Sequence, residues 1–202
     1  DRSNIAPVVY RAQYKRDTRA EYQIKFVLSE LQKTDANMKN VLEIGAGAAC
    51  ASLLFRDIWK KNILLLHACE PGKQWIKYYQ ECNIKRVAEF FPFQAKTGFD
   101  YIHTSHWLEH VTDVHETVSQ IHRLLNKNGY VFVEVPNTED NYWDYPQTDT
   151  PHIHFFTRDS IIKLFEKYNF PKLIDYISLD IDTDTAKVIK TFPFDDYEFK
   201  IM

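Results

Sequence analysis

The stretch VLEIGAGAA at residues 41–49 decides the fold of this 202-residue chain. An apolar run from Asn40 to Ile44 leads directly into two closely spaced glycines, and a helical pattern follows over about residues 49–60. Gly45 can adopt backbone dihedrals that other residues rarely reach, and Gly47 lets a ligand approach the main chain closely. A buried strand, a glycine turn and a helix in this order predict the first unit of a nucleoside-binding sheet.

Strands and helices alternate along the rest of the chain. Apolar runs at residues 63–69, 99–104 and 130–135 predict further buried strands, and amphipathic patterns predict helices between them. From Lys172 onward apolar and polar residues alternate, which predicts antiparallel edge strands. The expected fold is therefore α/β: a Rossmann-like, doubly wound, mostly parallel seven-stranded sheet with an antiparallel C-terminal edge.

We expect a single domain over residues 1–202. Within it, residues 1–35 should form an N-terminal lid and helix, and residues 136–156 a loop that contacts the substrate. Thr18 begins a capping-box pattern, which predicts that the first helix is capped there. The amphipathic helix marked by residues 114–125 is expected to end at Asn128-Gly129.

Composition and charge limit the function classes. The formal net charge is −3, without the basic excess typical of nucleic-acid binders, so no nucleic-acid partner is expected. The three cysteines, Cys50, Cys69 and Cys82, lack metal-type spacing and indicate reduced thiols. No apolar run approaches the length of a membrane span, and no signal-peptide pattern is present. We therefore expect a cytoplasmic protein that does not bind membranes.

Glu70 ends the second predicted strand and is the next anchor. An acid at this position can accept hydrogen bonds from both ribose hydroxyls. A glycine pair or a strand-end glutamate alone is a weak signal, but the two together, in this order, indicate nucleoside binding. The dinucleotide pattern G-x-G-x-x-G would place Cys50 at its last position, which fits poorly. The pattern E-x-G-x-G-x-G fits better, with Ala49 in place of the last glycine.

Several short motifs, in this order, resemble those of class I S-adenosylmethionine-dependent methyltransferases. They are Glu43 to Gly47, Cys69 to Pro71, Phe99 to Ile102, Leu108 to Val111 and the turn LLNKNGY at 124–130. Pro136-Asn137 and HFFT at 154–157 resemble a subgroup that includes ubiquinone-type and sugar-modifying small-molecule methyltransferases. The resemblance covers about residues 18–180 and implies S-adenosylmethionine as the cofactor.

The resemblance also implies roles for individual residues. The implied cofactor-binding set is Glu43, Gly45, Ala46, Gly47, Glu70, Pro71, Phe90, Ser105 and His106. Within it, Glu43 would border the methionine part with the glycines, Glu70 would hold the ribose, and Phe90 would lie near the adenine. Ser105 and His106 would line the other side of the cofactor.

The stretch HWLEH at residues 106–110 matches H-x-x-E-H, a zinc-peptidase pattern. That chemistry needs both histidines on one helix face and a third ligand from elsewhere, and no downstream acidic helix completes the set. Some ubiquinone-type methyltransferases place a divalent metal at this turn through a Glu-His pair, but here His106 replaces one acid. We expect no required metal, and whether Glu109 and His110 bind a divalent ion stays open.

Two histidines are candidates for the catalytic base. Methyl transfer is an in-line displacement from a sulfonium, so the enzyme mainly aligns the reactants and removes the proton of the acceptor. Histidine suits proton removal near neutral pH. His154 is the first candidate and His106 the second, although either could equally be a histidine bonded to the backbone. Tyr142, Trp143 and Tyr145 either line the acceptor pocket or pack their own loop.

The acceptor is expected to be a small molecule. No N/D-P-P-Y motif, typical of nucleic-acid amino methyltransferases, follows the strand at 99–104. We expect methyl transfer to an oxygen or nitrogen of a small metabolite, with a sugar or surface-polysaccharide precursor favoured by the resemblance alone. A nucleotide-dependent oxidoreductase and a non-catalytic cofactor-binding subunit are the alternatives, and a homodimer is compatible with the sequence.

Overall fold

The structure is a computed structural model, which describes residues 17–138 and 152–170. The predicted acceptor-pocket aromatics at 142–145 lie outside the described residues. So do most of the predicted N-terminal lid and everything from residue 171 onward, which includes the predicted antiparallel edge.

The described residues form one parallel sheet of five strands in the order β3-β2-β1-β4-β5. The strands are β1 Asn40–Ile44, β2 Leu65–Cys69, β3 Ile84–Ala88, β4 Phe99–Ser105 and β5 Leu125–Glu134. Ile44 at the end of β1 lies opposite Cys69 of β2 and Thr104 of β4, so the carboxyl ends of the three strands are level. The strand order reverses between β1 and β4, which is where doubly wound sheets bind their ligands.

Helices cover both faces of this sheet. They are α1 Thr18–Leu31, α2 Cys50–Ile58, α3 Ile76–Glu81, α4 Val114–Leu124 and α5 Arg158–Lys167, with short 3₁₀ turns at Lys73–Trp75 and Leu108–His110. Val41 belongs to the buried apolar cluster that includes α1, α2 and α3, whereas Leu42 belongs to the cluster that includes α4 and α5. Neighbouring side chains of a strand point to opposite faces, so β1 is buried on both. The predicted α/β, Rossmann-like fold is confirmed.

Two helix boundaries differ from the prediction. The cap of α1 is Asp17, whose carboxylate accepts a hydrogen bond of 3.0 Å from the backbone N–H of Ala20, so the predicted cap at Thr18 is wrong by one residue. Helix α4 ends at Leu124 and β5 begins at the next residue. Asn128 does adopt the left-handed conformation, with φ of 62°, but inside β5 rather than at a helix end.

Strand β3 was not recognised in the sequence. It carries Lys85 and Arg86 between Ile84 and Val87, so its pattern is neither a continuous apolar run nor a regular alternation. β3 pairs only with β2 among the described strands, and an edge strand tolerates charged side chains because it is not buried on both sides.

None of the described helices combines the length and the apolar character needed to cross a bilayer.

Candidate functional site

The two glycines after β1 play different parts in the turn. Both have positive φ, 68° at Gly45 and 46° at Gly47. A Cβ at Gly45 would stand 2.9 Å from Cδ1 of Trp107, so the absent side chain makes room for the indole. A Cβ at Gly47 would meet no atom within 4 Å. The space over Gly47 is therefore open to a ligand.

The carboxylate of Glu70 joins this turn to the end of β2. Its Oε2 accepts a hydrogen bond of 2.9 Å from the N–H of Gly47, and its Oε1 accepts one of 2.8 Å from the N–H of Gly72. The residue is 9% exposed. A carboxylate offers about four acceptor positions, so each oxygen can accept one more hydrogen bond from a ligand.

Glu43 lies beneath the turn and outside the cavity described below. Its carboxylate is buried and accepts a hydrogen bond of 2.9 Å from the N–H of Ser52 in α2. Burial raises the pKa of Glu43 to about 7, although the hydrogen bond from Ser52 opposes that rise. This hydrogen bond therefore stabilises the strand-to-helix turn. The carboxyl of Glu43, which titrates near neutral pH, lies close to that turn. Ala46, also predicted to contact the cofactor, is buried in the apolar cluster beside α2.

A cavity of about 410 Å³ opens at the carboxyl ends of β1 and β2. Its walls include four of the predicted cofactor residues, namely Gly45, Glu70, Pro71 and Phe90. Binding pockets for small ligands range from about 300 to 1,000 Å³, so the cavity has the volume of a nucleoside site. The structure thus brings together the glycine turn, the strand-end acid and an aromatic side chain.

Aromatic rings form one wall of this cavity. Phe91 contacts Trp107 edge to face, with ring centroids 5.3 Å apart, and both residues line the cavity. Phe90 lies beside them and is 66% exposed. Neither Phe91 nor Trp107 was singled out from the sequence, because they meet only through the packing of the turns after β3 and β4.

Ser105 and His106 do not line the cavity but belong to a separate polar cluster at the ends of β4 and β5. The Ser105 hydroxyl donates a hydrogen bond of 3.0 Å to Oε1 of Glu134. Gln23 of α1 donates to both residues, at 2.9 Å to Ser105 and 3.0 Å to Glu134. Helix α1 is therefore tied by side-chain hydrogen bonds to the edge of the sheet where the cavity opens.

His106 is held between two buried carboxylates. Its Nδ1 lies 3.5 Å from Oε1 of Glu109, and its Nε2 lies 3.3 Å from Oε1 of Glu134. Burial lowers the pKa of His106, but the two adjacent carboxylates outweigh burial and raise the pKa to about 9. The backbone φ of 51° is unusual for a residue with a side chain, and such strained positions concentrate at functional sites.

His154 packs on the turn that follows β4. Its Nε2 lies 2.8 Å from the carbonyl oxygen of Val111, and because a carbonyl can only accept, Nε2 carries the proton. The backbone N–H groups of Ile153 and His154 donate to the carbonyl oxygen of Glu109 at 2.9 and 3.0 Å. Val111 also lines the cavity, so His154 contacts a residue of the cavity wall without lining the cavity itself.

The comparisons with known proteins point to one family. The family model of a methyltransferase domain matches residues 14–173. The chain belongs to this family. Membership covers the described sheet, the glycine turn and the cavity, so the features described above are those of a methyltransferase.

Solved structures of other methyltransferases share the fold. An S-adenosylmethionine-dependent methyltransferase from Thermotoga maritima is 21% identical, with a TM-score of 0.52; the match covers 78% of this chain and 77% of that one. A Haloferax volcanii methyltransferase, solved with the Trm112 activator, is 16% identical with a TM-score of 0.58, over 94% and 88% of the two chains. Magnesium protoporphyrin IX methyltransferase from Synechocystis, with bound S-adenosylhomocysteine, is 11% identical with a TM-score of 0.56, over 76% and 75%. No curated protein matches the sequence.

The methyltransferase class is the one that the sequence predicted, and the chain has the α/β fold of solved methyltransferases. These solved structures include an S-adenosylmethionine-dependent enzyme and one with bound S-adenosylhomocysteine. The ubiquinone-type or sugar-modifying subgroup is not resolved by these matches and stays a prediction. The individual contact residues also stay predictions.

The residues of this methyltransferase fit the adenosyl group of the cofactor. Open space over Gly47 admits a ligand against the backbone, and the oxygens of Glu70 retain acceptor capacity for ribose hydroxyls. The ring of Phe90 offers an apolar surface for a purine. Since the cofactor carries no phosphate, it does not need the anion site that a dinucleotide takes at a helix N-terminus.

Proposed function

We propose that this methyltransferase transfers the methyl group of S-adenosylmethionine to an oxygen or nitrogen of a small metabolite. The observation that carries the proposal is the cavity at the reversal of strand order, bounded by Gly45, Glu70 and Phe90. It combines a nucleoside-sized volume with a fixed carboxylate and an aromatic wall, which is the chemistry that an adenosyl group requires.

Cofactor binding follows from the position of each residue. Glu70 accepts hydrogen bonds from the ribose, and Phe90 covers the adenine. The backbone at Gly47 borders the methionine part, where the nearby carboxyl of Glu43 favours the cationic amino group. Ser105 and His106 do not line the cavity, so their predicted place on the opposite side of the cofactor requires that the ligand extend toward the polar cluster that they form with Glu134.

The reaction itself requires alignment and removal of a proton. The methyl group moves in line from the sulfonium to the acceptor atom, whose proton must leave. We propose His154 as the base, because its Nε2–H is engaged by Val111 and its Nδ1 is then the nitrogen able to accept a proton. His106 is less suited to the role, since each of its ring nitrogens lies next to a carboxylate.

The acceptor is proposed to be a small molecule because of charge. The chain has a net charge of −3, and a polyanionic substrate would be repelled rather than attracted. A sugar or polysaccharide precursor is favoured only by the resemblance of Pro136-Asn137 and residues 154–157 to a subgroup that includes ubiquinone-type and sugar-modifying methyltransferases. The methyltransferase from Haloferax volcanii is known with a protein activator, so a partner subunit, like a homodimer, is a further proposal to be tested by the mass in solution.

A binding panel followed by a transfer assay tests this function. Calorimetry should show micromolar or tighter binding of S-adenosylhomocysteine and none of NAD. Tritium from labelled S-adenosylmethionine should then appear in a small-metabolite fraction. Binding of NAD alone would make the protein an oxidoreductase, binding without transfer to any fraction would make it a non-catalytic subunit, and label in nucleic acid would refute the small acceptor.

A further inference from the structure

Three side chains with metal-ligating atoms meet beside the cofactor cavity. They are Glu109 and His110 in the turn after β4, and His152 from the segment before α5. One ligand atom from each lies within 4.8 Å of the other two. The imidazole rings of His110 and His152 have centroids 4.9 Å apart. Among the described residues this is the cluster whose geometry suits an ion.

Glu109 shows that the cluster is more than a chance meeting of histidines. Its side chain is 1% exposed, and neither carboxylate oxygen has a hydrogen-bond partner within the described part of the chain. Its Oε1 lies near two imidazoles, 3.5 Å from Nδ1 of His106 and 3.7 Å from Nε2 of His110. The ion pair with His106 offsets part of the charge of Glu109, but both oxygens keep unused acceptor capacity that a bound water or ion would satisfy.

The backbone holds the three residues together. The 3₁₀ turn Leu108–His110 brings the neighbouring side chains of Glu109 and His110 into the same cluster. The carbonyl oxygen of Glu109 accepts the N–H groups of Ile153 and His154, which fixes the segment that carries His152. The arrangement is therefore built by main-chain hydrogen bonds, as a preformed ligand site must be.

We propose that Glu109, His110 and His152 bind a divalent transition-metal ion, with zinc as the best match. Two imidazole nitrogens and one carboxylate oxygen form a common three-residue ligand set for zinc sites that keep a position open for another ligand. Ligands bind zinc at about 2.0–2.2 Å, so the three atoms must move closer together than they stand here. Rotation of the two partly exposed imidazoles supplies that movement.

The site also suggests how the acceptor is held. His110 lines the cavity in which we propose that the cofactor binds. An ion beside that wall has an open coordination position for a hydroxyl or carboxylate oxygen of the acceptor, a step that rests on the proposed function. The sequence led us to expect no required metal, because His106 stands where ubiquinone-type enzymes have one of the acids of this turn. In the structure His106 faces the two acids instead, and His152 takes its place from far along the chain.

Titration of the metal-free protein with zinc alone tests the proposal. After dialysis against a chelator, calorimetry should show one zinc ion bound per chain, with magnesium binding much more weakly. His152→Ala should weaken zinc binding more than about tenfold, and His115→Ala, which alters an exposed histidine of α4, should leave it unchanged. Cobalt should give intense visible absorption bands in the wild type and in His115→Ala, but not in His152→Ala.

The outcomes separate this proposal from the proposed function. No stoichiometric zinc binding, or equal binding by His152→Ala, overturns the site. Circular dichroism of each variant shows that the fold is intact, and a Glu109→Gln variant provides a second loss of ligand. S-adenosylhomocysteine binding is measured on the same samples: if it persists where zinc binding is absent, only the metal site is refuted.

Discussion

The backbone N–H of Gly47 donates a hydrogen bond of 2.9 Å to the carboxylate of Glu70. This bond joins the turn after β1 to the end of β2, the two places that the sequence indicated as a nucleoside site. The second oxygen of Glu70 is held by Gly72, so the carboxylate cannot rotate freely. A carboxylate fixed before the ligand arrives loses little conformational entropy on binding, which makes Glu70 an effective ribose acceptor.

Glu70→Gln should weaken binding of S-adenosylhomocysteine by about 10- to 100-fold, the range expected for lost hydrogen bonds to a charged group. The amide would also place N–H donors against the donors of Gly47 or Gly72. Calorimetry measures the change in Kd. Glu89→Gln is the matched control, because Glu89 lines the same cavity but its side chain is 42% exposed and pairs with Arg86. An equal loss in both variants would contradict the assignment.

Gly47→Val should abolish cofactor binding in a folded protein. The added side chain would enter the open space over the turn, which is where the ligand is expected, and would meet no protein atom within 4 Å at its Cβ. The positive φ disfavours a β-branched side chain by about 2 kcal/mol or more, so stability should fall and circular dichroism must show that the variant is folded. Gly47→Ala carries the same kind of strain with a smaller block and should retain more affinity. Normal affinity in a folded Gly47→Val protein would remove this turn from the site.

The glycine turn and Glu70 could be predicted because they depend on local sequence. A strand that runs into closely spaced glycines, with an acid at the end of the next strand, indicates which residues lie where the strand order reverses. Strand β3 could not be predicted in the same way, since Lys85 and Arg86 interrupt its apolar pattern at the sheet edge.

Trp107 and His152 could not be placed from the sequence because they enter the site through tertiary contacts. The indole of Trp107 packs over Gly45, so the need for glycine there is as much a packing requirement as a backbone one. His152 reaches Glu109 through the main-chain bonds of the two residues that follow it. The spacing of residues along the sequence predicts neither contact.

Glu43→Gln should flatten the dependence of stability on pH. Burial raises the pKa of Glu43 from 4.5 to about 7, so the folded chain retains the proton between these values and the unfolded chain does not. The free energy of unfolding contributed by Glu43 therefore falls as pH rises from 4.5 to 7, by about 3 kcal/mol in total.

Urea denaturation at pH 5 and pH 8 measures this change. For each protein, the change in the free energy of unfolding between pH 5 and pH 8 is determined. Subtracting the change of Glu43→Gln from that of the wild type cancels the contributions of the other titrating groups. The amide oxygen can still accept the hydrogen bond of Ser52, so the variant should be the more stable protein at pH 8. A wild type and a variant with parallel pH profiles would show that Glu43 is ionised in the folded protein well below neutral pH.

Ala49→Val should destabilise the protein by about 2 kcal/mol or more, whereas Ala49→Gly should stay within about 1 kcal/mol of the wild type. Ala49 caps α2 with φ of 51°, where a β-branched side chain is strongly disfavoured and glycine is not. Glycine relieves strain but gives up a buried methyl group, and these effects offset each other. Ala48→Val, at a half-buried neighbour outside the left-handed region, is the control for added volume, measured by the same denaturation. Equal losses at 48 and 49 would mean that the backbone conformation is not the cause.

His154→Ala should lower kcat by about 10²–10⁴, the usual contribution of a general base, and leave the Kd of S-adenosylhomocysteine unchanged. The variant loses both the basic nitrogen and the hydrogen bond of 2.8 Å to Val111, so a second variant must separate the two. His154→Gln can keep a donor to the Val111 carbonyl but cannot accept the proton. If His154 is the base, both variants lose turnover on the acceptor fraction identified by label transfer. Recovery of turnover in His154→Gln would show instead that the histidine only positions the turn at Val111, and the base would have to be sought among the residues that line the cavity.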